Sequence, residues 1–436
     1  MKIERIDWDG RDAPAIATRM RSLAPALSEV SADVADILAE VRSRGDEGIR
    51  DVAMRLDEPA PEKLRVDPEA VEAAPGLLDP EVREALRAAA HNIVDVAKAE
   101  REQLVVPSIT DLPEGQRVEL RSEPVPCAGI YAPGGTASYP SSVLMCAIPA
   151  QVAGVGRIAV ASPPAAASGR PSTTVLAACA VAGIAEVYAI GGAQAIAAFA
   201  FGTETVPRVD VIAGPGNRFV TEAKRIVAGQ VGVDGVAGPS ELAIVADASA
   251  DPRLLALDLC AQAEHGDDSS LLLISADPDL LDSVEEQVAE IAASRDSVAS
   301  PLLALVKAPG VQRALELSDA FAPEHLQLAF EGADDIVARA RLAGCVFVGD
   351  GAATAFGDYA AGSNHVLPTG GAARFGGPLG PRTFMRRASV VTIPAAAARA
   401  LAPTVDVLAR AEGLPVHGES AVARSGDNAP GPEEGN

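Results

Sequence analysis

At 436 residues the chain is long enough for about two to four domains with several sizeable cores. Its composition, 48% apolar yet only 3% aromatic, suits an α/β enzyme and excludes a coiled coil or a disordered chain. A formal net charge of −24 argues against wholesale binding to nucleic acid or to an anionic membrane.

The opening residues, Met1-Lys2-Ile3-Glu4-Arg5-Ile6-Asp7, lack the apolar core of a secretion signal. Residues 31–56 carry Val34, Leu38, Val41 and Ile49 at helical spacing, interrupted at Gly45. Asp79-Pro80-Glu81 reads as a helix start, with Leu86, Ile93 and Val96 following on one face. His91 has only Ala88 and Asp95 beside it on that helix, so a structural or solvated role is assigned to it. The most apolar span, Ser141 to Ala161, is broken by Pro149, Gln151, Gly154, Gly156 and Arg157. It reads as a helix followed by a strand, not as a membrane span. The five cysteines (127, 146, 179, 260 and 345) show no CxxC spacing, which predicts free thiols in a reducing cytoplasm.

From about residue 128, short apolar runs alternate with Gly-rich turns and Ala-rich helices. The runs are 129–132, 157–160, 187–190 and 209–212. Such alternation predicts a parallel sheet with right-handed crossovers, whose C-terminal turns form the usual ligand side. The strict GxGxxG pattern is absent, so the glycines at 134–135, 191–192 and 214–216 fit either a dinucleotide cradle or plain tight turns. The alternation restarts with 241–245, 270–274, 326–328 and 345–348. The expected fold is therefore α/β, with two Rossmann-like parallel-sheet halves and smaller N- and C-terminal helical segments. The halves suggest duplication, without a residue-level repeat. The expected boundaries are a segment over 1–28, halves over 29–237 and 238–374, a C-terminal segment over 375–418, and a disordered acidic tail over 419–436.

Four polar clusters could carry chemistry. Gln262 and His265 project from one face of a helix end, just before Gly266. Glu324 and His325 stand together where a loop enters a strand; an imidazole suits removal of an alcohol proton and a carboxylate suits activation of water. Asp358 and His365 share a Gly-flanked loop, and Glu412 and His417 lie near the C-terminus. Each alone fits a solvated polar loop equally well. Together Gln262, His265, Asp358 and His417 offer an O/N/O/N set of a kind zinc accepts, the amide being the weakest member. Nothing in the sequence brings these distant positions together.

Six segments, in order, resemble those of histidinol dehydrogenases: YAPGGTASYPSSVLM (131–145), GGAQAIAAFAFGTETVPRVDVIAGPGNRFVTEAKR (191–225), GPSE (238–241), QAEHG (262–266), APEHL (322–326) and GDYAAGSNHVLPT (357–369). The resemblance spans about residue 30 to about 417. It implies a zinc- and NAD-dependent oxidation of L-histidinol, through L-histidinal, to L-histidine, the last two steps of histidine biosynthesis, in a cytoplasmic homodimer with sites shared across subunits. By the same resemblance Gln262, His265, Asp358 and His417 match the zinc ligands, and Glu324 and His325 the catalytic pair. Tyr131, Gln194 and Asn217 match the NAD contacts. Ser240, His325, Glu412, the pocket residue His365 and the four metal ligands match those facing histidinol. The first half would then be the NAD side and the second the metal and catalytic side. No Arg-rich cluster follows the Gly-rich turns, although Arg218 is near, and NAD is expected over NADP. Departures lie at Pro126-Cys127-Ala128 and in the Gly- and Pro-rich loop 376–381, the second of which could alter the dimer contact. Two other readings stay open: a zinc alcohol dehydrogenase for another amino- or sulfo-alcohol, and a binding protein with vestigial catalytic residues. Glu324, His325 and Glu412 argue against the latter, since binding alone needs no general base.

Overall fold

The computed structural model describes residues 1–22, 30–56, 62–134, 138–166 and 168–426. The chain opens with strand β1 (Lys2–Asp7) and helix α1 (Ala13–Arg21), then α2 (Ser31–Arg55), α3 (Pro68–Ala73) and the long α4 (Pro80–Leu104). A hairpin follows, β2 (Ser108–Asp111) and β3 (Arg117–Pro124). Regular alternation runs through β4 (Cys127–Tyr131), α5 (Pro140–Ala153), β5 (Arg157–Ser162), α6 (Thr173–Val181), β6 (Val187–Ala189), α7 (Gly192–Phe201), β7 (Val211–Ala213), α8 (Arg218–Val227) and β8 (Gly232–Val233). A second series runs β9 (Glu241–Ala246), α9 (Pro252–Ala263), β10 (Ser270–Ser275), α10 (Pro278–Ala293), β11 (Leu302–Lys307) and α11 (Val311–Phe321). It continues with β12 (His325–Ala329), α12 (Ala333–Ile336), β13 (Cys345–Val348) and α13 (Thr354–Tyr359). Strand β14 (Met385–Thr392) and helices α14 (Ala395–Ala411) and α15 (Pro415–Ala423) close the described chain.

The chain forms two compact units, one of residues 1–99 and 125–384, the other of 100–124 and 385–436. The larger unit holds two parallel sheets, ordered β6-β5-β4-β7-β8 and β1-β11-β10-β9-β12-β13. These are the two Rossmann-like halves. In the first, α2, α7 and α8 bury Val34, Val41, Ile196, Phe199 and Val220 against one face. Its central strand carries Gly129 because a Cβ there would fall 2.7 Å from the Phe199 ring. In the second, α9 and α10 cover one face through Leu255, Leu259, Leu281 and Val284. Helices α1 and α11 cover the other through Met20, Leu315 and Phe321.

Local expectations mostly hold. Gly45 breaks the geometry of α2 with φ 57° and ψ −132°, a conformation that favours glycine. Helix α4 starts at Pro80 and buries Leu86 and Ile93, but Val96 is exposed and Ala97 takes the inward position. The interrupted apolar span is α5 followed by β5, and no described helix is long and apolar enough to cross a membrane. All five cysteines are free.

The smaller unit pairs β14, β3 and β2 antiparallel, beside α14 and α15. Helix α15 runs through Ala423, past residue 419, where a disordered tail was expected to begin; it is ordered because Gly418 is buried and a Cβ there would meet Asp406 of α14. Residues 427–436, and 135–137 of the first Gly-rich turn, lie outside the described residues.

Candidate active site

In the second sheet the polar groups gather at the N-terminal ends of adjacent strands, not at the C-terminal ends where doubly wound sheets usually bind ligands. Strands β9 and β12 run parallel with Leu242 opposite His325. Ser240 precedes the first, and Glu324 precedes the second. His325, expected in a loop, is the first residue of β12.

Glu324 is only 7% exposed. Its Oε2 accepts from the Ser240 hydroxyl at 2.6 Å and from the Glu241 N–H at 2.8 Å. Ser240 in turn accepts from the amide nitrogen of Gln262. A directed chain of donors, Gln262 to Ser240 to Glu324, thus ends on the carboxylate. His325 is equally buried, and its Nδ1 lies 3.1 Å from the Glu241 carbonyl and 3.5 Å from Glu324 Oε2. A carbonyl can only accept, so Nδ1 carries a proton, and in the neutral ring Nε2 is then the bare nitrogen. Nε2 lies 4.0 Å from Asp358 Oδ1, and Phe347 covers the ring at 6.0 Å between centroids.

The main chain of Glu241 therefore holds both members of the pair. Its side chain is fixed in turn by an ion pair with Arg21 and by the Gly370 N–H at 3.2 Å. Burial pushes the Glu241 carboxyl above the usual range, and Arg21 opposes that shift. Arg21 also donates to the Phe321 carbonyl and lies over the Phe321 ring. Sequence reasoning missed Arg21 and Glu241; a contact across 220 positions leaves no local signal.

Helix α9 ends at Ala263, and Gly266 turns the chain with φ 133°, as the pattern around it predicted. Gln262 is buried, and its amide nitrogen is committed to Ser240, leaving Oε1 as the atom that can ligate. His265 is exposed. His365 places Nδ1 2.9 Å from the Asp358 carbonyl and Nε2 3.4 Å from the Ser142 hydroxyl. Burial holds its imidazole below the usual histidine range, against the pull of Asp358, with His325 and His265 adding to the lowering. The structure thus gathers Ser240, Gln262, Glu324, His325, Asp358 and His365, with His265 close enough to be felt. Amide oxygen, imidazole and carboxylate together suit zinc. Among the described residues no three His, Cys, Asp or Glu side chains stand as a ready cation site. Glu412 and His417 belong to the smaller unit, where both are exposed, at the end of α14 and in the first turn of α15.

The first sheet changes strand order between β4 and β7, and the turns after these strands flank that switch point. Tyr131 ends β4, buried, with its phenol oxygen accepting the Gly192 N–H at 3.1 Å. Gln194 is buried in the first turn of α7. Asn217 caps α8, its Oδ1 accepting from Phe219 N–H at 3.0 Å and Val220 N–H at 3.2 Å. All three expected NAD contacts therefore stand along one sheet edge, where helix N-termini favour an anionic ligand. The first turns of α5, from the same edge, meet the loop that carries Asn364 and His365, through Ser142 and through Asn364 Nδ2, which donates to the Met145 carbonyl at 2.6 Å.

Comparison with known proteins bears on this arrangement. The family model described as histidinol dehydrogenase matches residues 21–425. A histidinol dehydrogenase of Rhodospirillum rubrum is 44% identical over 421 residues, covering 94% of this chain and 96% of its own. One of Bifidobacterium longum is 41% identical over 423 residues, covering 93% and 89%. The crystal structure of histidinol dehydrogenase from Elizabethkingia anophelis superposes with a TM-score of 0.86 at 30% identity, covering 97% of this chain and 98% of the other. The chain belongs to the histidinol dehydrogenase family.

Proposed function

We propose that the chain oxidises L-histidinol, through L-histidinal, to L-histidine. The observation that carries this reading is the pairing of a buried imidazole, whose Nδ1 donates to a carbonyl and so leaves Nε2 as the basic nitrogen of the neutral ring, with a buried carboxylate held by two donors. Tyr131, Gln194 and Asn217 hold NAD, which when bound accepts a hydride at each stage. Gln262, His265 and Asp358, together with a His417, would hold zinc, which when bound would supply a Lewis acid to anchor the substrate. Ser240, His365 and Glu412 complete the substrate's surroundings.

His325 Nε2 removes the hydroxyl proton in the first oxidation. The imidazolium so formed keeps its Nδ1–H on the Glu241 carbonyl and faces Asp358, so its charge is met on both sides. Glu324 then takes a proton from the water that attacks the aldehyde. Its Oε2 is already bound by Ser240 and Glu241, which leaves Oε1 for that proton. Once His325 has passed its first proton to water, its Nε2 is free again to remove the hydrate's hydroxyl proton in the second oxidation, and the carboxylate product leaves.

A homodimer is part of this reading. The smaller unit exposes half or more of Val391, Ile393, Val407, Leu408 and Val416, apolar surface that a second copy would cover. The partner could thereby complete each site with residues such as Glu412 and His417. The five free cysteines favour a cytoplasmic setting.

The test is NADH formation with histidinol, histidinal and a panel of other amino- and sulfo-alcohols. Histidinol and histidinal should be the only good substrates. Faster turnover of another alcohol would overturn the substrate, and no NAD reduction with any of them would overturn the reading.

A further inference from the structure

Lys224 and Asp234 form an ion pair whose side chains are only 4% and 3% exposed. Both grip the same residue. Lys224 Nζ donates to the Gly214 carbonyl at 3.0 Å, and Asp234 Oδ2 accepts the Gly214 N–H at 2.8 Å. Gly214 directly follows β7, at the switch point of the first sheet. Its φ of 124° favours glycine, and a Cβ there would fall 2.0 Å from the Tyr131 carbonyl oxygen. The turn is thus pressed against Tyr131 on one side and gripped through its peptide groups by the pair. Helix α8 reaches back from its last turn to hold the turn that leads into its own first one. Three residues on, Asn217 caps that helix.

Desolvating two charges is costly, and similar apolar residues often serve a core as well. The pair therefore does something that burial alone would not: it fixes both peptide groups of one glycine. We infer that Lys224 and Asp234 are positioning residues for dinucleotide binding, setting the Gly214–Asn217 turn against Tyr131. This rests on the proposal that Tyr131 and Asn217 contact NAD.

The test uses the full chain and titrates NADH by fluorescence, with the KM for histidinol measured in parallel. In Lys224→Met/Asp234→Leu the grip is lost at similar volume. NADH affinity should fall about five- to tenfold, the order set by one hydrogen bond's net contribution, with the histidinol KM unchanged. If the apolar double variant does not fold, Lys224→Gln/Asp234→Asn replaces it, since the shorter amide no longer reaches the Gly214 carbonyl, and NADH affinity should again fall. Parental NADH affinity in a folded double variant overturns the inference, as does an equal weakening of both ligands. Asn217→Ala separates the two claims. If it leaves NADH affinity unchanged, the NAD-site reading fails and the inference with it; if it weakens NADH while the folded double variant does not, only the inference fails.

Discussion

Ser240→Ala tests the donor chain that ends on Glu324. The hydroxyl gives one of the two hydrogen bonds to Oε2, at 2.6 Å, and accepts from the Gln262 amide. The substitution leaves Glu324 with the Glu241 N–H alone and strands a buried amide nitrogen. A hydrogen bond to a charged group contributes about 1.5–3 kcal/mol. If that falls on the orientation of the base, it corresponds to roughly 10- to 100-fold in rate. Because the proposed role of Glu324 is to activate water, the loss should concentrate in the aldehyde half-reaction. The assay supplies histidinol and histidinal separately and compares single-turnover rates of NADH formation. Parental rates in both halves, or a loss confined to the alcohol half, would refute the reasoning.

Three further predictions rest on the same site. Glu324→Gln should slow the aldehyde half-reaction far more than the alcohol half, whereas His325→Asn should slow the alcohol half by about 10² to 10⁴-fold; equal losses in Glu324→Gln would make the pair one coupled acid–base unit. His265→Asn and His417→Asn should each strip zinc, read by elemental analysis, with the fold intact by circular dichroism; stoichiometric zinc in both would remove them from the ligand set. Arg21→Met leaves the buried Glu241 carboxylate without its partner, and should cost about 2 kcal/mol of stability, less than a fully buried pair because Arg21 is a quarter exposed, together with a fall in kcat. Unchanged denaturation and unchanged kcat would show that Glu241 is held by other means.

The parts of this architecture that sequence alone disclosed are those set by local pattern. Short apolar runs between glycines gave the strands of both parallel sheets except β1, β8 and β11, and the Gly266 turn gave the end of α9. Strands β2, β3 and β14 escaped notice because they are largely exposed, and residues such as Arg117-Val118-Glu119 show no buried alternate face. Strand β1 pairs with β11, some three hundred positions away, and only the fold places it in a sheet. The candidate groups Glu324, His325, Asp358 and His365 were visible as residue types, but their convergence was not. Their supports were hidden altogether: Arg21, the main chain of Glu241, and the Lys224–Asp234 grip each join segments that share no local pattern. The sheet edge was also read too simply, since Glu324 and His325 stand at a strand N-terminus while the expected NAD contacts stand at strand C-termini.

The central claim is that one site carries an alcohol all the way to a carboxylate, using His325 twice and Glu324 once between. The most direct test is the amount of NADH formed per histidinol consumed when histidinol is limiting and NAD is in excess. The account predicts about two, one for each hydride released, with histidine as the product. A ratio near one, with histidinal accumulating in solution, would contradict it.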